Sequence, residues 1–303
     1  MEIGRRQITL GIVAAAVVLL AGAAAMKWRD SRQFEDIHQV LGRFPAEDAV
    51  ALHIDFEGMR KAGLLTASNV PLEADYKQFL DGTGFDYRKD LDEVTASFSK
   101  SGNFFIARGR FNWSKLRDYA AAQGGSCYQD LCRMQGSQPE RRISFLPLEP
   151  DVRALAVSTD DLAANRLTKA GAPVKTDLPS APVWVMVPGS MLRESAVMPP
   201  GMALMLSALK SADRLVVTVS PSGNALAAKM EATCQSQDDA KVLASQLRVV
   251  TDKLKTALTE DPRAQGDELV KVLAGGTFDD SGARVNGQWP FSKDLIASLT
   301  SGI

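Results

Sequence analysis

Histidine is nearly absent from this chain, and that narrows the chemistry open to it. His38 and His53 are the only imidazoles among 303 residues. A catalytic triad would have to recruit one of them, and no Gly-x-Ser-x-Gly elbow is present to supply the nucleophile. Ser207-Ala208-Leu209-Lys210 fits the Ser-x-x-Lys spacing that brings a lysine beside a nucleophilic serine on a helix, and Ser97-Phe98-Ser99-Lys100 fits it on a strand. The accompanying Ser-Asp-Asn and Lys-Thr-Gly elements are missing, so both are read as chance matches. Asp86, Asp90, Asp92 and Glu93 form the densest carboxylate group, with Asp279-Asp280 a second. A calcium loop needs oxygen ligands at alternate positions. Here Tyr87, Arg88 and Lys89 interrupt the acids, which favours a solvated loop or a helix cap. Walker and dinucleotide-binding glycine patterns are absent. No catalytic, cofactor-binding or metal-binding residue is therefore assigned.

Cysteine gives a firmer expectation. Cys127 and Cys132 are separated by Tyr128-Gln129-Asp130-Leu131. If those four residues form a tight turn, the two thiols face each other and bond in an oxidising compartment. Four intervening residues do not match the C-x-x-C of thioredoxin-like redox sites, and no second pair completes a zinc site. Cys234 is left over and is expected to pack as a small buried hydrophobe.

The elements around these residues begin with an apolar run. Gln7 to Met26 carries no charge, after Arg5-Arg6 and before Lys27-Trp28-Arg29. A membrane span needs about 20 mostly apolar residues, which this run just meets. Cleavage after Ala23-Ala24-Ala25 is the rival reading, and length favours retention. Arginines precede the run and Lys27, Arg29 and Arg32 follow it, so charge does not fix the orientation. A short tail before one segment and a long domain reads as N-terminus inside, domain outside. Residues 1–28 are thus expected to be a tail and transmembrane helix, placing the protein in a bacterial inner membrane with its ectodomain in the periplasm. Phe34, Ile37, Val40 and Leu41 then space as an amphipathic stalk helix over 29–44.

Net charge is −1 and hydrophobic content 45%, so the chain can bury a core and lacks the basic surface of an electrostatic nucleic-acid binder. Beyond residue 44 the chain resembles itself. Val50, Leu52 and Ile54 alternate as on a strand, and Val183, Val185 and Val187 repeat them 133 residues on. Ser99-Lys100-Ser101-Gly102-Asn103 matches Ser220-Pro221-Ser222-Gly223-Asn224, each between alternating runs. Glycine and asparagine tolerate positive φ, so both are expected as hairpin turns. Ser236 with Asp239 caps a helix over Asp238–Leu258, with Val242, Leu243, Leu247, Val250 and Leu254 as its apolar face. Shorter helices are expected from Asp161 to Leu167 and from Asp294.

The β-α-β-β-α-β order suggests an α+β fold of two tandem ferredoxin-like (split βαβ) repeats with mixed or antiparallel sheets, at 45–171 and 180–303. Pro45-Ala46-Glu47-Asp48-Ala49 before a strand, the repeated hairpin, and Ile143-Ser144-Phe145-Leu146-Pro147 before Leu155-Ala156-Val157-Ser158 make the chain similar to uncharacterised membrane-anchored envelope proteins of acidobacteria and related bacteria. That resemblance implies a duplicated α+β ectodomain and no catalytic residue. Five of the ten methionines fall between Val185 and Leu206. Methionine recurs at adaptable apolar surfaces. Met191, Met198, Met202 and Met205 are therefore the candidate surface for a protein partner. The expected function is non-enzymatic: an envelope protein attached to the membrane through residues 7–26 that binds another envelope component, without nucleic acid, metal or cofactor. A periplasmic hydrolase with an unrecognised serine or carboxylate site, and a lipid or hydrophobic-cargo carrier, stay open as alternatives.

Overall fold

Alternating apolar residues build strands throughout the chain, and pairing joins them into one sheet. In chain order these are β1 (Val50–Asp55), β2 (Leu91–Ser99), β3 (Gly102–Gly109), β4 (Ser126–Tyr128), β5 (Leu131–Gln135), β6 (Arg142–Glu149) and β7 (Val152–Ser158), then β8 (Val183–Pro188), β9 (Arg214–Ser222), β10 (Ala225–Thr233), β11 (Thr277–Ser281) and β12 (Arg284–Phe291). The computed structural model describes residues 36–63, 65, 74–136, 138, 140–193, 200–222, 225–260 and 268–291. The apolar run at 7–26 and the helix expected from Asp294 lie outside the described residues. No helix among the described residues is long and apolar enough to cross a membrane.

The sheet has 12 strands in the order β11-β12-β10-β9-β8-β1-β2-β3-β7-β6-β5-β4. This overturns the expected fold of two tandem ferredoxin-like units. In a split βαβ unit the strand after the helix runs parallel to the first and leaves a gap between them that a third strand fills. Here β2 follows helices yet returns antiparallel directly beside β1, so no gap is left. The two halves are also not separate sheets. β1 and β8 pair antiparallel, with Ala51 opposite Met186 and His53 opposite Trp184. Read outward from that pair, β8-β9-β10-β12-β11 mirrors β1-β2-β3-β7-β6, and β5-β4 extend the first half.

Alternation sorts the side chains onto two faces. One face carries helices in both halves. Trp113–Ala122 packs there through Trp113, Leu116 and Ala120 against Phe145 and Leu155. In the second half the long helix Gln237–Glu260 buries Leu243, Leu247 and Leu254 against Leu215, Met230 and Val285. Each leucine so buried is worth about 1.5–3 kcal/mol. Its cap forms as expected: Ser236 Oγ accepts from Asp239 N–H at 3.1 Å and donates to the Asp239 carboxylate at 2.6 Å. Val242, expected on the apolar face, points to solvent at 57% exposure, and Ala240 and Ala244 lie buried on that face.

Among the described residues, helices cover the opposite face in the first half only. Val40, Leu41 and Phe44 from the helix Ile37–Gly42 pack there with Phe104, Ile106, Ala154 and Ala156. The expected stalk is thus docked in the core from Ile37 onward. Gly42 and Gly171 let two backbones touch, since a Cβ on Gly171 would stand 1.8 Å from Gly42 O. The short helix expected at Asp161–Leu167 is a 3-10 helix, Ala163–Thr168, whose Ala164 N–H is accepted by the buried Ser144 Oγ at 3.0 Å. Both pentapeptides connect hairpin strands. In the first, Ser99 pairs with Gly102, which puts Lys100-Ser101 at the turn and Gly102 at the start of β3. In the second, pairing continues to Ser222 opposite Ala225.

Candidate functional site

The four acids clustered in sequence are divided among four arginines. Asp86 accepts from Arg88 Nε at 3.0 Å, Asp90 pairs with Arg110 at 3.2 Å, Asp92 with Arg60 and Glu93 with Arg108. Asp86 also caps the short helix Tyr87–Asp90 by accepting from Arg88 N–H. Burial pushes the Asp86 carboxyl up, but the hydrogen bonds and charge of Arg88 outweigh it and hold the group below its ordinary value. Tyr76 donates to Asp86 at 3.2 Å, and burial with that acidic neighbour pushes its phenol up to about 12. This is an ion-pair ladder with a structural job. Among the described residues no group of three His, Cys, Asp or Glu side chains is placed to hold a metal ion.

His53 is no better placed for catalysis. It lies between Thr95, whose Oγ1 is 3.2 Å from Nδ1, and the Trp184 ring. Burial lowers its pKa, against the pull of Glu93 and Asp55. His38 is used structurally, its Nδ1 2.7 Å from Val174 O. Ser207 and Lys210 are both exposed at the end of the helix Pro200–Leu209, whereas Ser97 is buried in β2 and Lys100 is exposed at the turn. Arg153 is buried, donates to Glu149, Val152 and Pro150 carbonyls, and lies over the Phe111 ring. Burial lowers its pKa. Cys234 is free and buried, which raises its thiol pKa.

Of the four candidate methionines, Met205 is withdrawn from the surface. Met205 is 5% exposed and packs in the second-half core with Leu209 and Leu215. Met191 is half-buried on the helix Gly189–Arg193, Met202 lies on the helix Pro200–Leu209, and Met198 is outside the described residues.

Four large hydrophobic side chains are exposed among the described residues: Val242 and Val249 on the long helix, and Tyr128 and Leu162 near the β4 edge. Cys127 and Cys132 are bonded, opposite each other across β4–β5 with Cα atoms 4.0 Å apart. The bond clamps a hairpin whose turn is Gln129-Asp130, with Gln129 at φ 51°. Tyr128, next to the clamp, is 74% exposed, and Leu162, before the 3-10 helix, is 45% exposed. Both line one open hollow of about 460 Å³, with Leu131, Leu146 and Pro147 among its apolar walls and Gln129, Asn165 and Thr168 contributing polar groups. Its two lips are tied together by Arg133 and Asp161 at 3.2 Å, and Asp160 holds Leu162 by accepting its N–H at 2.9 Å. Sequence spacing identified the clamp; the signal missed was a large aromatic held between two bonded cysteines.

A second concavity, about 830 Å³, opens on the second-half sheet face away from the long helix, bordered by Asp177, Leu178 and Pro179. Lys229, Glu231, Arg214, Arg284, Asn286 and Gln288 line it, a balanced polar sheet surface.

No protein-family model matches the chain, and no curated protein matches it significantly. Its fold is similar to two crystal structures of TP0453. Form I is 12% identical with TM-score 0.51, covering 89% of this chain and 98% of that one. Form III is 11% identical with TM-score 0.53, covering 89% and 99%. The likeness is one of fold alone.

Proposed function

We propose that this chain is a non-enzymatic protein of the bacterial envelope that docks another envelope protein through the Tyr128 tip. The observation carrying the reading is the pairing of Tyr128 and Leu162 over one hollow, one lip of which is clamped by a disulfide and joined to the other by an ion pair. The disulfide fixes the hairpin backbone that carries Tyr128, so that backbone needs little further ordering on binding, and tyrosine supplies contact area with few rotatable bonds. The bonded cysteines support an oxidising compartment, and the uncharged run at 7–26 supports membrane attachment with the rest of the chain outside.

The test is site-specific photo-cross-linking in intact cells. A photoreactive amino acid at Leu162 is expected to give one discrete adduct, identified by mass spectrometry and lost on adding Tyr128→Ala. The same group at Val242, exposed on the far side of the long helix, serves as the control. Equal adducts from both positions, or persistence in Tyr128→Ala, sinks the proposal.

A further inference from the structure

Resting on that docking reading, we infer that the tip accepts an extended segment of its partner that seats an aliphatic side chain between Tyr128 and Leu162 and directs a lysine or arginine at Asp130. The hollow sets the size. About 460 Å³ is at the low end of small-ligand pockets, room for one or two side chains and too little for the face of a helix. Its walls set the polarity. Leu131, Leu146 and Pro147 offer no charge, so the seated side chain is apolar. Gln129, Asn165 and Thr168 stand around these walls with hydrogen-bonding groups suited to the main chain on either side of that residue.

Charge decides between partners. Two ionised side chains line the hollow, Asp130 and Arg133. Arg133 is neutralised by Asp161, and the neighbouring Asp160 by Arg166. Asp130 makes no ion pair with any described residue, so the Tyr128 side of the rim presents a carboxylate beside an apolar seat, while the Arg43 guanidinium lies across the hollow against the Leu167 and Thr168 carbonyls. Complementarity at such a rim favours a basic neighbour and disfavours an acidic one.

The experiment uses the full chain in detergent micelles, labelled with 3-fluorotyrosine and observed by ¹⁹F NMR. The Tyr128 resonance is identified by its loss in Tyr128→Phe. Two blocked hexapeptides are titrated: Gly-Lys-Leu-Leu-Lys-Gly and Gly-Glu-Leu-Leu-Glu-Gly. The basic peptide is expected to shift the Tyr128 resonance saturably. The acidic one is expected to bind about three- to fivefold more weakly, the range of an exposed ion pair. In Asp130→Asn, which suits the same turn, that preference is expected to disappear. Equal binding of the two peptides, or a preference unchanged in Asp130→Asn, overturns the inference while leaving the docking reading standing. No shift with either peptide overturns both.

Discussion

His53 stacks on Trp184 across the strand pair that joins the two halves, with ring centroids 5.3 Å apart and planes 23° from parallel. Trp184 is 2% exposed and is the largest fully buried side chain among the described residues. It packs with Phe104, Ala51 and Val40 of the first half although its own strand opens the second. The halves therefore share a core as well as a sheet. Trp184→Ala is expected to cost about 3–5 kcal/mol, the usual penalty for emptying a buried aromatic site. Urea unfolding followed by circular dichroism should show the lower midpoint in a single transition, because the cavity opens at the seam both halves depend on. Two separate transitions in the parent protein would contradict a shared core.

The same contact makes stability depend on pH near neutrality. Burial lowers the His53 pKa in the folded chain, so the unfolded chain takes up a proton that the folded one resists. Stability therefore rises with pH across the window just below the ordinary imidazole value of about 6.5, and falls as pH drops through it. His53→Gln is expected to flatten that limb. Unfolding midpoints at pH 5 and pH 8 for both proteins decide the matter; an unchanged slope in the variant removes His53 as the cause.

At high pH a different group acts. The Tyr76 phenol, raised to about 12 by burial and by its Asp86 neighbour, stays protonated where an unfolded tyrosine near 10 ionises. The folded state then binds more protons, so this contribution is present below about pH 10 and is lost as pH rises toward 12. Absorbance titration at 295 nm should show a late-ionising phenol that disappears in Tyr76→Phe. In Asp86→Asn the remaining late step is expected to move down.

These features differ in how far sequence could reach them. Alternation at Val50–Ile54 and Val183–Val187 located β1 and β8, because period-two patterning of apolar residues is a local property of the sequence, although the one fully buried side chain of the pair is Trp184, off that phase. The Ser236–Asp239 cap and the Cys127–Cys132 bond were legible for the same reason: each is closed within a few residues. Strand order was not. Nothing local to β1 says that β2 on one side and β8 on the other will pair with it, and a strand–helix–strand order suits both a crossover and an antiparallel return. Orientation failed similarly at Val242 and Met205, where the face a helix buries is set by the sheet beneath it. The Tyr128–Leu162 hollow joins β4 to a segment more than 30 residues later, so no spacing rule reports it.

Reduction of the clamp gives a fourth outcome. Cys127 and Cys132 are five residues apart, so the chain-entropy model assigns the closed loop about 2 kcal/mol. Cys132 is buried against Ala120 and Phe145, so Cys132→Ala would add a packing loss; Cys127→Ser, at the half-buried partner, is the cleaner variant. The denaturation midpoint of the parent should fall with reductant, and that of Cys127→Ser should be low already and insensitive to it. If reductant leaves the parent unchanged, the bond does not constrain the unfolded chain.

Thr251 offers a gain instead of a loss. It sits on the core side of the Gln237–Glu260 helix at 2% exposure, and its Oγ1 is buried with no hydrogen-bond partner among the described residues. A buried hydroxyl left unsatisfied costs about 1–3 kcal/mol. Valine keeps the branched shape and differs little in helix propensity, so Thr251→Val replaces an orphaned polar atom with a methyl group facing Leu247 and Leu254. The expected result is a stabilisation of about 1 kcal/mol, read as a higher denaturant midpoint at unchanged slope. Thr251→Ser serves as the opposing control: it keeps the hydroxyl and removes the methyl, so it is expected to destabilise. A destabilised Thr251→Val would mean that the hydroxyl is satisfied in solution, and the burial argument for this position would fail.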